Sequence, residues 1–225
     1  MNNIIELLQR QQLIFNASTQ RQTQNVTETG YGELDHALNG GLTQIGVIEL
    51  LSQTAIGELR LLMPSLYSDS TRLLVLVSPP AHVNAQMFSA QGIKLKNILV
   101  IQPDNFKDSL WAVEQCLSSG SCHSVLFWPE NELAIHQIKR FQLACEKGQC
   151  RHILFRAERL ERISLPLELS LSLYAQSSGL LAKVNKRKCG WPSKAFNIDM
   201  SSRWPELIQP SRPKNILTFP AATSA

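Results

Sequence analysis

The chain has 225 residues, 44% of them hydrophobic and 18% charged, with a formal net charge of +4. That length supports one sizeable core, and the mild positive charge permits an acidic partner without demanding one. No apolar run approaches a membrane span, the opening MNNIIELLQRQQ lacks the order of a secretory signal, and five cysteines without a CxxC pair read as reduced cytoplasmic thiols rather than a disulfide framework.

Residues 1–16 are expected to hold a short amphipathic helix (3–16), with Ile4, Leu8 and Phe15 among its apolar positions. The polar stretch 17–28 reads as a linker. From residue 29 the pattern alternates. Short apolar runs at 46–51, 71–77, 97–101, 124–128 and 151–155 have the composition of strands buried on both faces. Helical stretches separate them. The first spans about 57–67, with Pro64 expected to kink or shorten it. The second runs from about 82 to 91, ahead of Gly92. The third, 106–119, repeats Phe106, Leu110, Val113 and Leu117 on one side, with Asp104 or Asn105 as cap and Gly120 as stop. The fourth, 131–147, carries Ala134, Ile138, Phe141 and Cys145 on one stripe and is expected to stop at Gly148. Strands alternating with helices predict an α/β fold with a right-handed parallel sheet.

The C-terminal third changes character. In 165–173 leucine occupies every second position, with Glu168, Ser170 and Ser172 between, which predicts a half-exposed strand. Two more strands, 179–188 and 195–200, flank a Cys189–Gly190–Trp191–Pro192 turn and predict an antiparallel extension of the sheet. The domain therefore spans 29–200, and 201–225 reads as an irregular, proline-containing tail.

The turn after the first apolar strand carries the most information. A phosphate-binding loop there would read G-x-x-x-x-G-K-[ST], with backbone amides cradling phosphates, lysine on the β/γ-phosphates and a hydroxyl on magnesium. This chain keeps Gly57 but has Ser52 for the first glycine, Glu58 for the lysine and Leu59 for the hydroxyl. A carboxylate about 4 Å from a phosphate charge repels it by ~4 kcal/mol at an effective dielectric of about 20, where a lysine would attract by as much. The alternative reading is an ordinary βα turn with an acid in the favourable first helical turn. Either way no nucleotide, metal or other cofactor is expected. No nucleophile–base pattern or HExxH occurs, so no residue is named as catalytic and the chain is not expected to be an enzyme. Cys116, Cys122, His123, Cys145, Cys150 and His152 lack zinc-motif spacing and could meet only in three dimensions.

The order of these pieces resembles the RecA recombinase core over residues 29–200. Thr29–Gly30, Leu34–Asp35, Leu38 and Gly40–Gly41–Leu42 resemble the segment leading into its first strand. Gly92–Ile93 and Asn97–Ile98–Leu99–Val100–Ile101–Gln102–Pro103–Asp104 are similar to its third strand and following turn. The resemblance implies a RecA-like, P-loop-NTPase-type three-layer core. The chain departs from it at Ser78–Pro79–Pro80, where RecA carries an acid, and at Trp128–Pro129, where the Walker B aspartate would stand. The linkers at 128–132 and 156–165 look too short for RecA's DNA-binding loops. Within RecA-like proteins the chain most resembles the ImuA family, accessory to bacterial translesion synthesis. The residues that carry this likeness are Leu7–Leu8–Gln9–Arg10, Ala55–Ile56–Gly57–Glu58–Leu59–Arg60–Leu61–Leu62 and Pro64. To them are added Leu110–Trp111–Ala112–Val113–Glu114–Gln115 and Lys186–Arg187–Lys188–Cys189–Gly190–Trp191–Pro192. SulA-like division inhibitors, which bind FtsZ, are the rival resemblance.

The ImuA resemblance implies a damage-induced (SOS) role without catalysis. Its partners would be an ImuB-like Y-family polymerase homologue, RecA, a specialised DNA polymerase subunit and the sliding clamp, with only indirect association with DNA. Lys186 and Lys188 fall where RecA has lysines that reach ATP on a neighbouring subunit, so they are candidates for a RecA-facing contact; the alternatives are a solvated basic hairpin and nonspecific attraction to nucleic acid. Gln11 to Phe15 partly resembles clamp-binding peptides, the alternative being a helix face that packs on the core or a partner. Arg151, Arg156, Arg159 and Arg162, interleaved with Glu158 and Glu161, read as a solvated face, the alternative being phosphate binding. Trp111 and Trp128 are expected in the core, while Trp191 and Trp204 are candidate interface anchors.

Overall fold

The computed structural model of the chain describes residues 26–67, 71–157, 165–188 and 190–205. The helix expected at 3–16, with Gln11 and Phe15, lies outside the described residues. So do Arg159, Arg162, Cys189 and the tail from 206.

Among the described residues, the apolar runs become strands and the stretches between them become helices, in the order β1 (Val26–Thr27), α1 (Gly32–Ala37), β2 (Leu42–Thr43), β3 (Gly46–Leu51), α2 (Glu58–Leu66), β4 (Leu73–Val77) and α3 (Ala85–Ala90). A 3-10 turn at Leu95–Asn97 leads into β5 (Ile98–Ile101), followed by α4 (Phe106–Ser118), β6 (Cys122–Phe127), α5 (Ile135–Gly148) and β7 (Arg151–Arg156). β8 (Leu169–Gln176), β9 (Gly179–Arg187) and β10 (Phe196–Asp199) complete the order. β1 and β2 form a small antiparallel pair that the polarity of 17–28 concealed.

The main sheet has eight strands in the order β10-β9-β8-β3-β7-β6-β4-β5. From β8 to β5 every pairing is parallel, and β9 and β10 add antiparallel ones. The fold is thus mixed α/β with a mostly parallel sheet and the expected antiparallel extension. One face carries Ile48, Leu50, Ile153, Leu171 and Val184, packed with Leu34, Leu61 and Phe88 of α1, α2 and α3. The other carries Val47, Val75, Val125 and Leu154, packed with Val113 of α4 and Phe141 of α5. β3 lies among the central strands and, Glu49 apart, is apolar on both faces because helices cover both.

Local chemistry explains the element ends. The Asn105 side chain caps α4 by accepting the Asp108 amide at 3.0 Å. Gly148 does not stop α5, which ends on Gln149 in a left-handed conformation (φ 50°). A Cβ at Gly148 would sit 1.9 Å from the Leu117 carbonyl oxygen, so glycine is needed for close approach to the end of α4. Pro64 lies inside α2 without ending it. Proline has no N–H for the carbonyl four residues back, and that carbonyl, Arg60, accepts the Tyr31 hydroxyl at 3.4 Å instead.

Several expectations are corrected. The strand expected at 165–173 starts only at Leu169, and its polar row is not solvated: Glu168, Ser170 and Ser172 are buried. Trp111 is not in the core but 64% exposed. Trp204, in the expected irregular tail, is buried, its indole N–H donating to the Tyr31 hydroxyl at 3.0 Å. Of the four arginines expected on a solvated face, the two that are described are not on one. Arg151 is buried and donates to Ser65 Oγ and Thr27 Oγ1, and Arg156 pairs with Glu49. Desolvation lowers the Arg151 pKa to about 10, which leaves it charged at neutral pH.

Candidate functional site

β3 delivers the chain to the turn 52–57 at the C-terminal end of the parallel strands, where the Ser52 amide donates to the Arg156 carbonyl at 2.9 Å. The turn needs two left-handed residues, Ala55 (φ 68°) and Gly57 (φ 110°). Glycine takes this conformation freely, whereas an L-residue such as alanine is strained in it. Gly57 then serves as N-cap of α2 without a side chain to satisfy the helix amides.

Glu58 supplies what the cap lacks. Its carboxylate folds back over the turn, Oε1 accepting the Ala55 amide at 2.8 Å and Oε2 the Gly57 amide at 3.0 Å. The residue is only 5% exposed. Backbone amides at a helix N-terminus are the groups that bind a phosphate; here the chain's own carboxylate takes them. Leu59, where a phosphate-binding loop would need a magnesium-binding hydroxyl, is partly buried against the core. Both the charge and the donors are therefore arranged against an external anion.

The neighbouring strand ends carry no acid either. Ser78, after β4, has its Oγ 3.3 Å from Ser109 Oγ. Trp128, after β6, is stacked on Phe155 with ring centroids 4.3 Å apart and planes 5° apart. Among the described residues no group of three or more His, Cys, Asp or Glu could hold a metal ion. Cys116, Cys122, Cys145 and Cys150 are free thiols; burial pushes Cys150 up to about 12, and the interaction between Cys116 and Cys122 raises the first and lowers the second.

The candidate lysines lie elsewhere. Lys186 is on β9 and Lys188 just beyond it, beside the start of β8 and β3: the Glu168 amide donates to the Val47 carbonyl, and the Lys188 amide to the Glu168 carbonyl. They therefore lie towards the opposite end of the strands from Ser52–Leu59. Neither is simply solvated. Lys186 Nζ donates to the Leu165 carbonyl at 2.5 Å, and Lys188 Nζ pairs with Glu168 at 2.6 Å. Trp191, in the following loop, is 90% exposed.

Residue patterns missed a buried polar cluster between these regions. Glu49 of β3 accepts Arg156 Nη1 at 2.5 Å and Ser170 Oγ at 2.7 Å. The one available signal was an acid inside the apolar run GVIELL, since a buried carboxylate demands a partner.

No family model matches the chain, and no curated protein matches it. Among solved structures, SulA from Pseudomonas aeruginosa is similar at 26% identity, covering 49% of this chain and 98% of that one with a TM-score of 0.42. Among the described residues no helix is long and apolar enough to cross a membrane.

Proposed function

We propose that this chain is a non-catalytic, RecA-like accessory protein of damage-induced mutagenic translesion synthesis. It works through contacts with an ImuB-like Y-family polymerase homologue and with RecA. The observation that carries the non-catalytic part is the Glu58 carboxylate on the Ala55 and Gly57 amides. Such a turn has no use for ATP, so what remains for the surrounding architecture is recognition by shape. The translesion assignment rests on the ImuA-like segments around 55–62, 110–115 and 186–192. On this reading, contact with RecA through Lys186 and Lys188 requires both ammonium groups to exchange the Leu165 carbonyl and Glu168 for the partner.

The test is ultraviolet-induced mutation frequency in a strain deleted for the gene. A fall that the wild-type chain and a Glu58→Gln chain both restore, at normal cell length, supports the adaptor. Unchanged mutagenesis with loss of filamentation after damage would instead identify a SulA-like division inhibitor. Micromolar ATP binding by the purified chain would defeat both readings.

A further inference from the structure

The loop between β9 and β10 is fastened at both ends. The Lys188 amide donates to the Glu168 carbonyl at 2.8 Å, and the Ser193 amide donates to the Val184 carbonyl at 3.0 Å. Ser193 Oγ in turn accepts the Val184 amide at 3.0 Å. At the middle of the loop the Gly190 amide donates to the Arg187 carbonyl. A Cβ on Gly190 would lie 3.0 Å from Arg187 Cδ and Nε, so the Arg187 side chain packs directly against the loop backbone there. Trp191 is held on this frame at 90% exposure, the highest of any large hydrophobic side chain among the described residues. At that exposure the indole contributes almost nothing to the core, although burial is what a tryptophan ordinarily supplies.

The surroundings of Trp191 are cationic. From Gly179 to Met200 the chain carries Lys183, Lys186, Arg187, Lys188 and Lys194 against one acid, Asp199. Asp199 lies opposite Gly179, at the far end of β10 from the loop. Lys188 pairs with Glu168. Lys186 and Arg187 donate to the Leu165 and Ala37 carbonyls, which are neutral and leave both charges uncompensated. Lys194, shortly after the indole, is exposed. A tryptophan that anchors a protein partner sits among apolar contacts that exclude water. Here no other large hydrophobic side chain is exposed among the described residues of 177–205. A π face beside uncompensated cations suits an unpaired strand of nucleic acid instead: a base stacks on the ring, and the flanking phosphates meet the cations. A duplex keeps its bases inside the stack and cannot use the ring.

We propose that Trp191, with Lys186, Arg187 and Lys194, forms a contact site for single-stranded nucleic acid that does not read base identity. The inference goes beyond the function proposed above and does not rest on it. It puts a direct contact in place of the indirect association with DNA that the ImuA resemblance implies.

Fluorescence anisotropy of labelled oligo-dT, about 15 nucleotides long, titrated with the full chain tests it. A Kd of roughly 1–100 μM is expected at about 50 mM salt. Affinity should fall with salt at a log–log slope near −2, since Lys186, Arg187 and Lys194 would each contribute ~0.7. Trp191→Ala should weaken binding ~10-fold with the far-ultraviolet circular dichroism spectrum unchanged, and Trp191→Phe should weaken it less, because it keeps a ring to stack on. Lys194→Gln should make the slope shallower by about 0.7. An abasic strand of the same length should bind the wild type ~10-fold more weakly than oligo-dT and should bind Trp191→Ala equally well. Oligo-U of that length distinguishes the sources: tighter binding of either strand identifies DNA or RNA, and equal binding shows that the sugar is not read. Absence of oligo-dT and oligo-U binding at about 100 μM protein and 50 mM salt overturns the proposal, as does unchanged binding by Trp191→Ala. Equal affinity for oligo-dT and the abasic strand also overturns it, and would make an acidic protein surface the occupant of this basic loop.

Discussion

The Glu58 carboxylate accepts the amide of Ala55, three residues earlier, at 2.8 Å, and so closes the turn between β3 and α2 on itself. Its other oxygen takes the Gly57 amide at 3.0 Å. Glu58→Ala leaves both amides without this acceptor and releases the strained Ala55 conformation. The expected cost is about 2 kcal/mol of unfolding free energy, measured by urea titration. Glu58→Gln should lose less, because its amide oxygen can still accept one of the two. Glu58→Lys should not confer tight ATP binding, since Leu59 offers no magnesium ligand and Ser78 and Trp128 stand where an acid would be needed; isothermal titration with Mg-ATP checks this.

Arg156 and Glu49 form a largely buried pair, with side chains 21% and 6% exposed. Arg156→Met leaves the Glu49 carboxylate with only the Ser170 hydroxyl, and removing one member of such a pair costs about 3 kcal/mol. Combining it with Glu49→Gln removes the uncompensated charge. The double variant should therefore be more stable than Arg156→Met alone. If the two losses simply added, the pair would not be coupled, and chemical denaturation of the four chains of this cycle decides it.

The fold was legible wherever burial on both faces made a strand apolar throughout. β3 spans the 46–51 that its composition predicts, and β4, β5, β6 and β7 differ from expectation by at most a few terminal residues. Legibility failed where polar residues are buried by pairing. Alternation at 165–173 is the pattern of a solvated face, yet Ser170 serves Glu49 and Glu168 serves Lys188; alternation reports two unlike faces and does not say which is wet. Trp111 was misplaced for the converse reason: it lies off the stripe Phe106, Leu110, Val113 and Leu117 that faces the sheet, and its size alone does not bury it. At the site, the absence of a P-loop's lysine and hydroxyl was readable letter by letter. That Glu58 would turn back onto its own loop was not, because that depends on the left-handed turn geometry.

Trp204 ties the chain beyond β10 back to α1 and α2. Its indole N–H donates to the Tyr31 hydroxyl, its ring lies 5.4 Å from the Arg60 guanidinium carbon, and it is buried. Tyr31 in turn reaches the Arg60 carbonyl that Pro64 leaves free. Trp204→Ala should cost about 3 kcal/mol through the cavity it leaves. Trp204→Phe should cost about 1 kcal/mol, mainly the lost hydrogen bond. Truncation after residue 203 should match Trp204→Ala. A truncated chain as stable as the full one would show that this indole contributes nothing to the core.

His152 makes stability depend on pH. It is fully buried on β7 between Phe127 and Phe141, with ring centroids 6.3 and 5.1 Å away. Its Nδ1 lies 3.0 Å from the Val125 carbonyl and so carries the proton, while among the described residues Nε2 has no acceptor for a second one. Desolvation therefore lowers its pKa to about 4, against about 6.5 in an unfolded chain. Between these values the unfolded state binds a proton that the folded state refuses, so stability falls as pH falls through 6.5 and the full loss is reached below 4. From pH 7 to pH 5 this residue should remove about 2 kcal/mol. Other groups titrate in the same window, and His123 is also lowered to about 4, so the measurement is a difference. Urea unfolding of wild type and His152→Phe at both pH values should show a smaller decline in the variant by about that amount, whatever the substitution does to stability at pH 7. Equal declines would mean that His152 accepts its proton without unfolding.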